Sequence, residues 1–137
     1  MQSLSQIRAL LAERGLRPRH RLGQNFLHDH NQIRRLLDAA AIEPGDLVLE
    51  VGPGTGTLTG ALLDAGAVVI ASELDDEMAS IVEAEFANDL GDRLTVVRGD
   101  CLAGKHAVAP AVLDALGRAG DASDGPPEFR LVANLPY

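Results

Sequence analysis

The fold of this chain is decided by LVLEVGPGTG, residues 47–56, where an apolar stretch runs directly into three alternating glycines. Leu47–Val51 predicts a strand of a parallel sheet, because such strands are buried on both faces and are predominantly apolar. Glycines allow the chain to turn tightly and a ligand to approach the main chain. A helix predicted from Thr57 would supply free backbone N–H groups behind that turn. The unit predicts the binding edge of an α/β sheet, although a purely structural glycine-rich turn would show the same pattern.

Strand and helix patterns alternate on both sides of this unit. Further strands are predicted at 68–72, 94–98 and 129–133, and helices at 57–65, 75–88 and, interrupted by Pro110, about 105–116. Such alternation predicts an α/β fold with a parallel sheet and right-handed crossovers. We expect the strand order 3-2-1-4 of a Rossmann-like, doubly wound sheet that is truncated after its fourth strand. Residues 117–128, rich in Gly, Asp, Ser and Pro, predict a mobile surface loop.

The N-terminal part of the chain is basic, whereas the rest is acidic. A first helix is predicted from Ser3 to Gly15, a loop over 16–28, and a second helix after Asp29. Residues 1–35 contain seven Arg and two acids, and residues 36–137 contain five Lys or Arg and 18 acids. A basic arm on an acidic body predicts a local contact with a polyanion. A solvated cluster of Arg flanking a helix is the alternative.

Composition excludes several classes of protein. The 137 residues allow at most one domain, and no apolar run approaches the roughly 18 residues that a membrane-spanning helix needs. Cys101 is the single cysteine, which excludes an internal disulfide framework and suits a reducing compartment. Neither a signal-peptide pattern nor a Cys/His metal-binding spacing is present. We therefore expect a cytoplasmic protein with no membrane contact and no bound metal.

The glycine loop at 52–56 differs from the two common phosphate-binding patterns. A dinucleotide fingerprint requires Gly at position 57, which is Thr here, and the Gly-Lys-Ser/Thr of a P-loop is absent. The loop therefore fits a nucleoside ligand without a pyrophosphate better than it fits NAD or ATP.

An acid follows each of the next two strands. Glu73 lies where a carboxylate can accept hydrogen bonds from both hydroxyls of a ribose. Asp100 can accept from the amino group of an adenine, and the backbone N–H of Cys101 can donate to a ring nitrogen. The alternatives are a solvated Glu73 beside a helix-capping Asp75 or Asp76, and an Asp100 that only shapes a turn. The Cys101 thiol itself is expected to be a small apolar wall.

The fourth predicted strand is followed by Asn134-Leu135-Pro136-Tyr137. The Asn134 side chain and the Leu135 carbonyl each offer an oxygen to an exocyclic amine. Pro136 restricts Leu135 to an extended conformation and so aims that carbonyl, and Tyr137 can stack on a flat base. A strand-to-turn junction with a packing Tyr is the alternative.

Together the four loops describe one pocket, and their combination resembles the class I S-adenosylmethionine-dependent methyltransferases. The segment 134–137 is similar to the Asn/Asp-Pro-Pro-Phe/Tyr motif of enzymes that methylate exocyclic amines of nucleic-acid bases. With GQNFL at residues 23–27, the chain is similar to the KsgA-type ribosomal RNA adenine N6,N6-dimethyltransferases over about residues 17–137. The resemblance implies S-adenosylmethionine as cofactor, contacted by Gly52, Gly54, Glu73, Asp100, Cys101 and Asn134.

The resemblance also implies how the chain is divided. Residues 1–28 would form a basic helix and a segment that covers the cofactor through Asn25 and Leu27, unless that segment is only a packed loop. Residues 29–137 would form an incomplete cofactor-binding domain, without the family's C-terminal helical domain. The RNA contacts would come from three arginines of the arm: Arg17, Arg19 and Arg21.

The implied activity is methyl transfer to N6 of two adjacent adenosines in a hairpin loop near the 3′ end of small-subunit rRNA, within a pre-ribosomal particle. The catalytic residues would be Asn134, Leu135, Pro136 and Tyr137. The alternatives are a resistance-type enzyme acting on large-subunit rRNA, a non-catalytic nucleic-acid-binding relative and a small-molecule methyltransferase. We expect a monomer, and we expect the 137-residue chain by itself to be inactive on rRNA.

Overall fold

The structure is a computed structural model that describes residues 30–104, 107–121 and 129–133. Its helices are α1 (His30–Ala40), α2 (Thr57–Asp64), α3 (Asp76–Glu85) and α4 (Pro110–Asp121). Its strands are β1 (Leu47–Val51), β2 (Val68–Glu73), β3 (Leu94–Arg98), β4 (Leu102–Gly104), β5 (Ala107–Val108) and β6 (Phe129–Ala133). The predicted first helix, the covering segment and the motif at 134–137 lie outside the described residues.

Four of the strands form one parallel sheet in the order β3-β2-β1-β6. This order confirms the predicted 3-2-1-4, with β6 as the fourth strand of the sheet. The central strand β1 pairs along its whole length with both neighbours, so that Val51 lies between Ser72 and Ala133. β1 and β6 therefore end level with each other at their carboxyl edge, and β2 ends one residue farther on, at Glu73.

Helices cover both faces of the sheet. The face that carries Val48 packs against α1 and α2 through Ile33 and Leu62, all of them buried. The opposite face, which carries Leu49, packs against α4 through Val112. Apolar side chains alternate between the two faces along each strand, and this two-sided burial explains why the strands are mostly apolar. The arrangement is the doubly wound architecture that the sequence predicts.

The region after β3 differs from its prediction in two ways. Pro110 does not interrupt a helix but begins one, because the first position of a helix needs no backbone N–H and a fixed φ suits it. The helix then continues to Asp121, so the first five residues of the loop predicted over 117–128 are helical. A short antiparallel pair, β4 with β5, precedes α4 and has no counterpart in the prediction.

Smaller differences concern the ends of elements. The helix predicted over 75–88 runs from Asp76 to Glu85, and β2, predicted over 68–72, extends to Glu73. Within the described ranges, no helix is long and apolar enough to cross a membrane.

Candidate functional site

The glycine loop after β1 turns through left-handed backbone that favours glycine. Gly52 and Gly54 have φ of 71° and 59°, and the Gly52 N–H donates to the Ser72 carbonyl at 2.9 Å, which ties the loop to β2. Gly52 is exposed, and a Cβ at this position would meet no heavy atom within 4 Å. At Gly52 the main chain of the loop therefore faces open space, as a main chain that binds a ligand must.

Gly56, at the end of the same loop, has a different role. It caps α2 with a φ of 90°, and a Cβ there would lie 2.6 Å from Cε2 of Phe86. Only a glycine fits here, because the ring of Phe86, the residue that caps the C-terminus of α3, occupies the space that a side chain would need. The loop thus combines a structural glycine at Gly56 with an open one at Gly52.

Glu73, the last residue of β2, is only 6% exposed. Its Oε1 accepts from the Gly54 N–H at 3.1 Å and its Oε2 accepts from the Asp75 N–H at 3.0 Å. Burial raises the pKa of this carboxyl, an effect that the two backbone donors oppose. The alternative of a solvated acid is wrong. Since each carboxylate oxygen can accept more than one hydrogen bond, Glu73 keeps acceptor capacity for a ligand.

The sequence allowed either Asp75 or Asp76 to cap this helix, and the structure shows that Asp75 is the N-cap of α3. Its Oδ1 accepts from the N–H groups of Glu77 at 2.9 Å and Met78 at 3.2 Å. The capping role and the buried Glu73 therefore coexist two residues apart, and the one does not replace the other.

Glu50 was not assigned a role by the sequence reasoning, yet it is the most buried acid of the site, at 1% exposed. The Thr59 hydroxyl donates to its Oε2 at 2.5 Å, which links the end of β1 to the first turns of α2. The pKa of Glu50 is raised to about 7. Burial is the largest cause, the hydrogen bond from Thr59 acts in the opposite direction, and the charge of Glu73 adds to the increase. The signal for it was an acid at the fourth position of an otherwise apolar strand.

The third loop joins the same edge. The Gly99 N–H donates to the Glu73 carbonyl at 2.9 Å, so the loops after β2 and β3 are connected. Asp100 is exposed, and its Oδ1 accepts from the Leu102 N–H at 2.9 Å, which is the turn-forming role considered as an alternative. Cys101 is buried with Leu49 and its neighbours on the α4 face, in agreement with a small apolar wall.

The structure thus joins Gly54 to Glu73 by a hydrogen bond and Gly52 to the end of β2, and it places Asp100 and Cys101 in the loop that follows β3. The assignment of these five residues to a cofactor stays a prediction. The remaining predicted site residues lie outside the described residues: Arg17, Arg19, Arg21, Asn25, Leu27, Asn134, Leu135, Pro136 and Tyr137. Ala133, which precedes Asn134, pairs with Val51, which precedes Gly52. The last residue of β6 and the residue before the glycine loop are therefore level with each other in the sheet. No group of His, Cys, Asp or Glu that could hold a metal occurs in the part of the chain that the structure describes.

Comparison with known protein families matches residues 15–137 to the family described as ribosomal RNA adenine dimethylase. The chain belongs to this family. The resemblance that the glycine loop, the segment at 23–27 and the motif at 134–137 carry is therefore confirmed.

Relatives within the rRNA adenine dimethylase family include two proteins named ribosomal RNA small subunit methyltransferase A. The protein from Rhodococcus opacus is 45% identical over 136 residues, which cover 97% of this chain and 41% of that protein. The protein from Mycobacterium bovis is 44% identical over 139 residues, 97% of this chain and 38% of that protein. The chain thus spans about 40% of the length of these curated relatives.

Solved structures of similar fold agree with this placement. A dimethyladenosine transferase from Plasmodium falciparum superimposes with a TM-score of 0.54 at 26% identity, covering 82% of this chain and 33% of that one. The 23S rRNA methyltransferase ErmE gives a TM-score of 0.53 at 25% identity, covering 80% and 48% respectively. The fold of this dimethylase-family chain is therefore the Rossmann-like fold of class I methyltransferases.

Proposed function

We propose that this chain is the cofactor-binding part of an S-adenosylmethionine-dependent rRNA adenine N6,N6-dimethyltransferase. Its target would be two adjacent adenosines in a hairpin loop near the 3′ end of small-subunit rRNA. The observation that carries the proposal is the open main chain at Gly52 beside the buried Glu73, at the edge where β6 leads into Asn134. The membership of the family and the names of the relatives at 44–45% identity support it.

The chemistry of the loops fits the proposed cofactor. The nucleoside part of S-adenosylmethionine carries ribose hydroxyls, which suit the remaining acceptor sites of Glu73, and an adenine amine, which suits a carboxylate at Asp100. The open space at Gly52 leaves room for the rest of the ligand against the main chain. When bound, this cofactor supplies a methyl group on a positively charged sulfur, which is already a good electrophile.

The difficult partner is the nucleophile, since the lone pair of adenine N6 is delocalised into the ring. In our proposal the Asn134 side chain and the Leu135 carbonyl accept hydrogen bonds from N6, which favours tetrahedral geometry and stabilises the positive charge that develops there. Tyr137 stacks on the base and holds N6 in line with the methyl group, and Pro136 fixes the carbonyl of Leu135. No strong base is needed, because the methylated nitrogen is acidic and releases its proton readily.

RNA contact is assigned to the basic arm, Arg17, Arg19 and Arg21, because the rest of the chain is acidic and repels a polyanion. The target adenosines have to be unstacked to reach the pocket, as a loop allows. We further propose that the protein acts as a monomer in the cytoplasm on a pre-ribosomal particle.

Small-subunit rRNA is preferred over large-subunit rRNA as the substrate. The relatives named as small-subunit enzymes are 44–45% identical to this chain, whereas ErmE, named as a 23S rRNA methyltransferase, is 25% identical. A non-catalytic relative is disfavoured by the buried Glu73 and the open Gly52, since neither is needed once a cofactor site is lost.

Calorimetric titration of S-adenosylmethionine into the chain tests the cofactor site. We expect Glu73→Ala to weaken binding by about 1–3 kcal/mol, the scale for removing a buried hydrogen-bonding group. Glu77→Ala, an exposed acid on α3, is the matched control and should leave affinity unchanged. Equal affinities for Glu73→Ala and the parent chain would remove Glu73 from the site.

Methyl transfer from labelled cofactor to immature small subunits tests the reaction in a protein in which this chain is extended to the length of its relatives. Asn134→Ala should nearly abolish methyl transfer while cofactor affinity falls much less, because Asn134 is assigned mainly to the incoming amine. Equal losses in binding and turnover would contradict that assignment. The 137-residue chain alone should show no turnover.

A further inference from the structure

Two buried carboxyl groups lie side by side at the proposed cofactor site. Glu50 is paired in register with Ala71 on the neighbouring strand, and side chains two residues apart on a strand point to the same face. Glu50 and Glu73 are therefore on the same face of the sheet, the one covered by α2. They are 1% and 6% exposed, so water solvates neither well.

Among the residues that the structure describes, the immediate surroundings of this pair, which we call the acid pair, supply one further acid and no cation. From α2 comes the neutral donor Thr59, and from the start of α3 comes Asp75, whose charge raises the pKa of Glu73. From β6 the residue level with Glu50 is Val132.

Charged groups farther along the packed helices are exposed, except for Glu83, which is half-buried. They are Arg34, Arg35 and Asp38 on α1, Asp64 at the end of α2, and Asp76, Glu77, Glu83 and Glu85 on α3. Among the described residues, neither member of the acid pair has an ion-pair partner.

Two neighbouring carboxylates that are buried without a cation are costly, because burial and mutual repulsion both disfavour the second charge. One proton bound to the pair removes that cost. The raised pKa of Glu50, to about 7, places this proton mainly on Glu50. A cation that arrives at the same site removes the cost in another way, by supplying the missing opposite charge.

We propose that the acid pair holds a proton in the free protein and releases it when the cationic cofactor binds, with Thr59 as the positioning residue that stabilises the ionised Glu50. The inference rests on the proposed function, because it assumes S-adenosylmethionine at this site. The proton leaves the Glu50 carboxyl for the buffer, and the positive charges of the ligand offset the negative charge that remains. Glu73 keeps its two backbone N–H donors, which favour its ionised form.

The sign of the pH dependence follows from this balance. Below about pH 7 the free protein holds the proton, so binding must expel it and affinity rises as pH increases. Above about pH 8 Glu50 has already lost its proton, so Glu50 no longer contributes to the pH dependence of affinity. The number of protons released should be about one half at pH 7 and near zero at pH 8.5.

Calorimetric titration with S-adenosylmethionine in two buffers of different ionisation enthalpy measures the proton number directly, in the absence of any turnover. We expect heat to depend on the buffer at pH 6.5 and pH 7 and not at pH 8.5. S-adenosylhomocysteine, which lacks the sulfonium charge, should release fewer protons. Glu50→Gln should remove the part of the buffer dependence that Glu50 contributes, whereas Glu83→Gln, at a half-buried acid of α3 outside the site, should leave it as in the parent chain.

Substitution of Thr59 tests the positioning role. Thr59→Val removes the hydroxyl donor, so Glu50 should hold its proton to higher pH and more protons should be released at pH 7.5. Thr59→Ser retains the hydroxyl and should restore the parent proton number. A merely structural role for Thr59 would change affinity without changing the proton number.

The outcomes separate this inference from the proposed function. Binding with the same heat in both buffers at every pH would overturn proton release and leave the cofactor assignment standing. No binding of S-adenosylmethionine at any pH would overturn both. Since the parent chain carries the main measurement, poor folding of a variant does not remove the test.

Discussion

Acidic side chains meet at two places in this molecule, and the two differ in whether a cation accompanies them. In the acid pair, Glu50 and Glu73 are buried and have no ion-pair partner among the described residues. On the surface between α3 and β3, which we call the ion-pair surface, Arg98 contacts both Asp76 at 3.5 Å and Glu83 at 2.5 Å. The acid pair is thus incomplete by itself, whereas the ion-pair surface is complete.

A count of salt bridges would suggest that the ion-pair surface is the more important of the two for stability, but the energetics do not follow that count. Exposed ion pairs contribute little, because water already solvates both partners and salt screens them. Buried carboxyls without a partner oppose folding when they ionise, and they become favourable only when a cation binds. The comparison supports our proposal that the acid pair serves a ligand, whereas the ion-pair surface contributes only to the protein's own surface.

The largest effect is expected where the site depends on close packing. Gly56→Ala should destabilise the chain by about 2–4 kcal/mol, because it adds left-handed strain to an overlap with the Phe86 ring. Gly52→Ala has comparable strain but meets no atom within 4 Å, so it should cost about 1–2 kcal/mol. Denaturant unfolding of both variants provides the measurement. Equal losses would mean that Phe86 moves away and that the Gly56 contact does not define the loop.

The next effect concerns the charge of Glu50. Its pKa is raised from 4.5 to about 7 in the folded chain, so the folded state holds a proton that the unfolded state loses between these values. Stability should therefore fall as pH rises through this window and level off above about pH 7, a change on the order of 3 kcal/mol. Glu50→Gln should remove that part of the change between pH 5 and pH 8. An unaltered pH profile of unfolding in this variant would show that the acid pair is solvated.

A smaller effect is expected at the rim of the acid pair. Asp75→Ala removes the side chain that caps α3 and should cost about 1 kcal/mol, the usual scale for a lost N-cap. Asp75→Asn keeps a capping oxygen and should retain most of the stability, although it removes a charge beside Glu73. Thermal unfolding at pH 7 distinguishes the two. If Asp75→Asn is as damaging as Asp75→Ala, the charge of Asp75 matters and not its cap.

The smallest effect is expected on the ion-pair surface. Arg98→Ala should change stability less than Asp75→Ala does, and in 1 M salt the change should approach zero because screening already weakens the pairs. Arg98→Lys is the matched control that keeps the charge but not the planar geometry. If Arg98→Ala loses more stability than Asp75→Ala and the loss persists in 1 M salt, the ion-pair surface contributes more to stability than the N-cap beside the acid pair.

The fold could be predicted largely because its signals are local. Apolar strands, helical spacing and glycine stops recur in order along the chain, and they are sufficient for a parallel sheet with the order that the structure has. The region after β3 was predicted poorly, because the pair β4–β5 is too short to show a period and Pro110 occurs equally well as a helix breaker or a helix start. Asn134 to Tyr137 remain predictions, since they lie outside the described residues.

The sequence by itself determined the family, the order of the sheet and the choice of Glu73 as the acid at the end of β2. It did not determine the protonation state of Glu50, because nothing in the amino-acid sequence distinguishes this glutamate from any other. That state depends on Thr59 from α2 and Glu73 from the adjacent strand, and on the burial that the whole sheet imposes. The pKa of a carboxyl is set by the solvent and charges around it, and only the tertiary structure decides which groups surround it.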